Sequence, residues 1–211
     1  MEIVQPITKS EAISAGWEFS SEFIPNPVEY VEIFSTLGKT NASPNPAQIV
    51  GEINGKLVMQ LRNFTFADGD GYGVNGSKGL TFNGTNEYAT ITGLSAYVGT
   101  ILILGKVLQP DTTSGSAYVF LAGNKLSIYQ KTANLDLWEG SNPTQTLGLQ
   151  NGVQCYKRTP AILDGTVINI AISSTSRYAN LEFLEMRICA TQLSDEQLAY
   201  VTKEMYDRFN S

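Results

Sequence analysis

Short stretches of alternating apolar and polar residues recur along the chain from residue 57 onward. This period-two alternation predicts strands that bury one face. The predicted strands are 57–64, 79–84, 87–92, 100–108, 117–122, 125–130, 135–138, 166–172 and 179–188. Gly123-Asn124 separates two of these strands and indicates a two-residue hairpin turn. Many short strands without interleaved helices predict an all-β fold, an antiparallel two-sheet sandwich of the jelly-roll kind.

One helical pattern closes the chain. Ser194 and Gln197 have the spacing of a capping box, in which each side chain bonds the backbone N–H of the other residue. Apolar residues then recur at helical spacing and form one stripe, at Leu198, Val201, Met205 and Phe209. The sequence therefore predicts a C-terminal helix over 195–208.

Prolines interrupt two parts of the chain. Five of them lie in residues 1–55, where only 28–34 resembles a strand. Because proline cannot donate to a strand ladder, we expect 1–55 to be an irregular, extended N-terminal arm. The predicted sandwich domain is 56–211. Within it, Pro143 and Pro160 lie in the stretch 140–165, which we expect to be mostly loop.

The charge content of the chain limits the classes of partner that it can bind. Charged residues make up 16% of the chain, less than the usual quarter, and the net charge is −6. Without a basic cluster the chain cannot neutralise phosphates, so neither nucleic acid nor an anionic membrane is expected as a partner. No apolar run in the sequence is long enough to span a bilayer. The start lacks the pattern of a secretion signal, so we expect synthesis in the cytoplasm.

The residue types available argue against catalysis. The chain has no histidine, which excludes Ser-His-Asp and Cys-His catalysis as well as histidine-bound zinc. A glycosidase needs two carboxylates facing one groove. Glu182 and Glu185 are three residues apart, and a regular strand would turn them to opposite faces. We therefore expect no enzyme activity. Cys155 and Cys189 are expected to be free thiols rather than a disulfide.

A glycine-rich loop at 67–76 partly resembles a cation-binding loop. Asp68 and Asp70 are the candidate metal ligands, and calcium is the candidate ion. Gly79 stands where an EF-hand requires a bidentate glutamate, so the loop is not an EF-hand. The alternative is a turn whose aspartates cap backbone amides, and we favour that interpretation.

Aromatic and amide side chains offer a candidate glycan-binding set. Sugars stack on exposed aromatic rings and hydrogen-bond to amides and carboxylates. The candidate ligand-binding residues are Trp138, Tyr72, Tyr129, Asn134 and Asp136, with Tyr156 and Tyr178 as further aromatic candidates. Tyr72, in its glycine loop, is the ring expected to be most exposed. Since most tryptophans are largely buried, we favour the competing interpretation of Trp138 as a core residue.

Two motifs resemble those of laminin-G-like, or concanavalin A-like, domains. The stretch 79–91 resembles the entry motif of that superfamily, and 185–198 resembles its last strand running into "L-S-D-E-Q". The resemblance implies a jelly roll that is mostly non-catalytic and binds glycans or proteins, of a kind found in bacteriophage virions. In the first motif, we expect Asn83-Gly84 to make a tight turn that points Phe82 and Tyr88 inward from paired strands.

Two functions follow as hypotheses. The first is a non-catalytic structural or adhesive protein of a virion or an extracellular surface, such as a phage capsid-decoration or fibre component. It would contact other virion or surface proteins through the arm and form a homo-oligomer. The alternative is a stand-alone carbohydrate-binding module whose partners are cell-surface glycans.

Overall fold

The computed structural model describes most of the chain from residue 40 onward. The described residues are 29–32, 40–50, 58–67, 69–92, 96–109, 116–122, 126–131, 134–139, 142–146, 152–164, 167–172, 177–189 and 191–210. At 29–32, 50, 58, 96–98, 109–146 and 160–164 the description is of the backbone alone. None of the described helices is long and apolar enough to cross a membrane.

The described strands form two antiparallel sheets. In chain order they are β1 (Glu29–Glu32), β2 (Gln48–Val50), β3 (Val58–Arg62), β4 (Gly71–Tyr72), β5 (Leu80–Asn83), β6 (Tyr88–Thr92), β7 (Ala96–Gln109), β8 (Ser116–Ala122), β9 (Leu126–Lys131), β10 (Asn134–Glu139), β11 (Asn142–Thr146), β12 (Gln154–Asp164), β13 (Ile168–Ile170) and β14 (Asn180–Cys189). One sheet has six strands in the order β12-β7-β14-β5-β4, with β1 also paired to β14. The other has eight, ordered β11-β10-β9-β8-β13-β6-β3-β2.

The sheets pack face to face around one apolar core. Phe82 and Phe183 from the six-stranded sheet join Met59 and Ile91 from the eight-stranded sheet, each with no more than 1% of its surface exposed. Burying such side chains stabilises the fold by about 1.5–3 kcal/mol each. The predicted all-β sandwich is confirmed.

Among the described residues, one α-helix, α1 (Asp195–Asn210), adds a third layer outside the six-stranded sheet. Leu198, Val201 and Met205 pack on Leu102 and Leu104 of that sheet. The capping box forms as predicted, since Ser194 N–H donates to Gln197 Oε1 at 2.9 Å and Gln197 N–H to Ser194 Oγ at 3.3 Å. The helix begins at the predicted residue, 195, and ends at residue 210, two residues beyond the predicted end. Because β14 lies between the core and α1, nearly all its residues are buried.

The prediction of loop at 140–165 is wrong. The stretch holds β11 and the 11-residue β12. Both are edge strands, and proline is tolerated where one side of a strand has no ladder to complete. Pro160 also falls where the β12 register shifts, between Arg158 and Ala161. Two strands before residue 56, β1 and β2, pair with β14 and β3. The domain boundary at residue 55 stays a prediction.

The proposed inward pairing of Phe82 and Tyr88 is also wrong. Gly84 does adopt a left-handed conformation, with φ of 79°. However, β5 belongs to the six-stranded sheet and β6 to the eight-stranded one, so the turn at 84–87 crosses between sheets instead of closing a hairpin. Phe82 is fully buried in the core, whereas Tyr88 is only half-buried.

Candidate functional site

The eight-stranded sheet has one face toward the core and one face away from it, which we call the outer face. Leu61, Ala89 and Ile170 are buried in the core and are directly paired across neighbouring strands. Since side chains alternate along a strand, the residues directly before and after each of these core residues belong to the outer face. Register then extends this assignment across the whole sheet.

Four polar residues form a row on the outer face, which we call the amide row. Its members are paired in sequence across β2, β3, β6 and β13 as Gln48, Gln60, Thr90 and Asn169. Thr90 Oγ1 lies 3.5 Å from Asn169 Oδ1, and Gln60 Nε2 donates to the Ala47 carbonyl at 2.9 Å. Amides and hydroxyls on neighbouring strands thus lie side by side without formal charge.

The amide row continues in register to the predicted tryptophan. Asn169 pairs with Leu121 of β8, Leu121 with Ser127 of β9, and Ser127 with Trp138 of β10. Position 138 therefore belongs to the outer face. The competing interpretation of Trp138 as a core residue conflicts with this register, because Leu135 and Leu137 hold the alternate, core-side positions of β10.

A second row, the tyrosine row, runs beside the amide row. It lies one same-face step, or two residues, further along each strand, at about 7 Å. Its positions are Arg62 and Tyr88, which are paired, and Tyr118, Tyr129 and Asp136, which are paired in turn. Asn134 follows Asp136 on the same face. The register thus brings Trp138, Tyr129, Asn134 and Asp136 together on one surface.

Tyr88 and Tyr178 form an aromatic pair at the other end of the tyrosine row. Their ring centroids are 6.4 Å apart, and both side chains are half-buried. Sequence reasoning named Tyr178 but missed Tyr88, Gln60, Thr90 and Asn169. The signal was present, since these four residues hold the polar positions of alternating strands. Grouping them required the order of the strands in the sheet.

Tyr72 is not the exposed ring that the glycine loop suggested. Only 7% of its surface is accessible. Its N–H donates to Asn41 Oδ1 at 2.7 Å, and its hydroxyl donates to the Pro46 carbonyl at 2.9 Å. Its ring stacks on Phe66 at 6.2 Å. Burial raises the pKa of the Tyr72 hydroxyl well above its usual range. Asn41, distant in sequence, thus bonds the loop backbone beside the buried ring.

A cavity of about 340 Å³ lies against the same loop, bordered by Asn41, Phe66, Ala67, Gly69, Tyr72, Gly73, Val74 and Asn75. Asp70 is buried, and its Oδ2 accepts hydrogen bonds from the Thr65 N–H and Oγ1, both at 2.9 Å. Asp70 therefore caps a backbone amide, as the interpretation of this loop as a turn predicts. Asp68 lies outside the described residues. Among those described, no three His, Cys, Asp or Glu side chains cluster as metal ligands. Calcium binding stays a prediction.

Tyr156 and the two cysteines, Cys155 and Cys189, are buried or partly buried residues. Tyr156 is 5% exposed, and burial raises the pKa of its hydroxyl to about 12, so it does not offer a surface for stacking. Both cysteines are free, as expected. Burial raises the pKa of the Cys155 thiol and of the Cys189 thiol to about 11, which keeps both protonated at neutral pH.

The spacing argument that separated Glu182 from Glu185 is wrong. The register of β14 against β7 shifts between Phe183 and Glu185, which marks a β-bulge at Leu184. Because of this extra residue, both glutamates lie on the same face of the sheet, the face that α1 covers. They are nevertheless occupied by protein contacts. Glu182 Oε1 accepts from Ser77 Oγ at 2.6 Å, and Glu185 is fully buried.

An ion cluster holds α1 to the six-stranded sheet. Glu185 Oε1 accepts from Arg187 Nε and from Arg208 Nη2, each at 2.6 Å. Arg187 also donates two hydrogen bonds to Glu204 at 3.1 and 3.2 Å. Burial alone would lower the pKa of Arg187, but the hydrogen bonds to Glu204 and the charge of Glu185 raise it above its usual range. Lys78 Nζ completes the attachment by donating to the Phe209 carbonyl at 2.6 Å.

Comparison with known proteins identifies a fold but no family. No family model and no curated protein matches the sequence. Trypanosoma rangeli sialidase matches with a TM-score of 0.56 and 12% identity, over 86% of this chain and 33% of the sialidase chain. The same enzyme in complex with 2,3-difluorosialic acid matches with a TM-score of 0.56 and 12% identity, over 88% and 34%. This chain therefore spans about a third of the length of these structures.

A looser likeness is to domain 4 of AbnA, an extracellular arabinanase of Geobacillus stearothermophilus solved with arabinotriose. It has a TM-score of 0.44 and 12% identity, over 85% of this chain and 99% of that domain. At these identities the sialidase likeness concerns the fold alone, and the arabinanase likeness is too loose to support a conclusion. The laminin-G-like resemblance stays a prediction.

Proposed function

We propose that this protein binds carbohydrate, without hydrolysing it, through the outer face of its eight-stranded sheet. One observation carries the proposal: register assigns Trp138, Tyr129, Asn134 and Asp136 to the same face as the amide row. Aromatic rings beside amides and hydroxyls are what a sugar requires, because its C–H faces stack and its hydroxyls hydrogen-bond. Glu182 and Glu185, which share a face of the other sheet, are bonded within the protein.

The test is a glycan array followed by calorimetry on the strongest glycan. Trp138→Ala should weaken binding about tenfold or more, since a central tryptophan commonly contributes 2 kcal/mol or more and 1.4 kcal/mol is tenfold. Trp138→Phe should retain part of the affinity because it keeps a ring at the position. The matched control is Tyr200→Ala, an aromatic substitution on α1, on the far side of the six-stranded sheet.

Two results would contradict the proposal. One is an array without any glycan above background. The other is equal affinity in Trp138→Ala and Tyr200→Ala when both melt at the wild-type temperature. Repeating the array with a chelator tests the calcium prediction, because a site at Asp68 and Asp70 that supports binding would lose its glycan signal. Release of reducing sugar from the bound glycan would overturn the non-catalytic part.

The virion or extracellular-surface function, with its arm-mediated partners and homo-oligomer, is the second candidate. The pairing of β1 with β14 is compatible with it, since residues 29–32 give the arm a fixed attachment to the sandwich. On this reading, glycan binding would be the adhesive activity of a surface protein. Light scattering of the full chain measures the oligomer, and a soluble monomer would count against it.

A further inference from the structure

The proposed face carries two parallel rows rather than one cluster. The amide row and the tyrosine row both cross the strands, about one two-residue step apart, or about 7 Å. The tyrosine row has aromatic residues at 88, 118 and 129, on β6, β8 and β9. With β13 between β6 and β8, positions 88 and 129 are three strand spacings apart, or about 14 Å. One sugar ring is much shorter than that distance.

From this arrangement we infer that the ligand is an extended, uncharged glycan chain lying across the strands. This inference rests on the proposed carbohydrate-binding function. The chain's rings would stack along the tyrosine row from Tyr88 toward Tyr129. Its hydroxyls would hydrogen-bond to Thr90 and Asn169 of the amide row and, further along, to Ser127, which continues that row in register on β9. A terminal sugar in a deep pocket would instead require polar groups converging on one point, whereas these rows extend in one direction.

The distribution of charge specifies the chemistry of the chain. The members of the amide row are neutral amides and one hydroxyl, so they can donate to and accept from sugar hydroxyls without favouring a carboxylate or sulfate. Charged positions stand at the two ends of the tyrosine row, with Arg62 at one end and Asp136 at the other, and Lys131 lies one same-face step beyond Tyr129. The net charge of −6 also disfavours a polyanion through long-range repulsion.

The experiment is calorimetry with a mono- to hexasaccharide series cut from the neutral glycan that the array selects. Affinity should rise by about tenfold or more between the monosaccharide and the tetrasaccharide and then level off, once the chain fills the span from β6 to β10, the strand of Trp138. Tyr88→Ala should weaken binding of the long oligosaccharides while leaving that of the shortest unchanged. Tyr88→Phe, which keeps the ring, should bind like the wild type, and Tyr200→Ala again serves as the control.

The outcomes separate this inference from the proposed function. If a monosaccharide binds as tightly as the hexasaccharide, the extended-chain inference fails while carbohydrate binding stands. The same holds if a sulfated or uronic-acid polysaccharide outcompetes every neutral one. If no glycan of any length binds, the proposed function itself fails. The length series uses the wild-type protein, so it remains decisive even if the Tyr88 variants do not fold.

Discussion

The ion cluster under α1 allows one substitution to be worked out in detail. Glu185 is fully buried and shares one oxygen between Arg187 and Arg208. In Glu185→Ala both guanidinium groups lose that partner. Arg208 is 34% exposed and can be hydrated, whereas Arg187, at 9%, cannot. Breaking a buried pair costs about 3–5 kcal/mol, and because Glu204 still holds Arg187 we expect the lower end, about 3 kcal/mol.

The assay is urea and thermal unfolding of the purified chain. For a domain of this size, a loss of about 3 kcal/mol lowers the melting temperature by about 6–12 °C. Glu185→Gln keeps an acceptor for Arg187 and should lose about half as much, since a neutral acceptor forms a weaker bond than a charged one. The control is Lys203→Ala, whose exposed ion pair with Asp207 should contribute at most about 0.5 kcal/mol.

The ranking of the variants tests the reasoning more severely than any single value. Glu185→Ala must be the least stable, then Glu185→Gln, then Lys203→Ala. A Glu185→Ala protein within 0.5 kcal/mol of the wild type would refute the claim that the cluster secures α1. A variant that keeps its stability but loses an activity on a sugar substrate would also assign Glu185 a chemical role that its burial argues against.

Three further predictions concern stability. Met205→Ala, at a fully buried position under α1, should lose about 2–5 kcal/mol in urea unfolding, whereas Met205→Leu should lose less than about 1.5 kcal/mol. Ser194→Ala removes the helix cap and should lose about 1 kcal/mol, read from the same unfolding curve; no change would mean that the capping box contributes nothing. Stability should fall above about pH 9, because Cys155 and Cys189 ionise near pH 9 when unfolded but have pKa values of about 11 when folded, and Tyr156 shifts from 10 to about 12. The unfolded chain then binds fewer protons, and a flat profile from pH 8 to 11 would contradict the burial of these groups.

Local periodicity determined most of the elements. The alternation at 87–92 and 179–188 predicted β6 and β14 nearly to the residue, and the capping box at Ser194 predicted where α1 begins. These signals depend on neighbours within a few residues, so the sequence alone carries them. The prolines of β11 and β12 led to a wrong prediction of loop. Whether a strand tolerates proline depends on whether it lies at a sheet edge, and nearby residues do not show this.

The alternation of the predicted strand 135–138 also indicated that Asp136 and Trp138 share one face. It did not show which face, because that depends on the strands alongside, and register with β9, β8 and β13 links these positions to the outer face. In the same way, contacts with Pro46 and Phe66 accompany the burial of Tyr72, and a one-residue bulge decided the face of Glu185. Spacing along the chain specifies periodicity, whereas contacts between distant segments specify orientation, and only the tertiary structure contains those contacts.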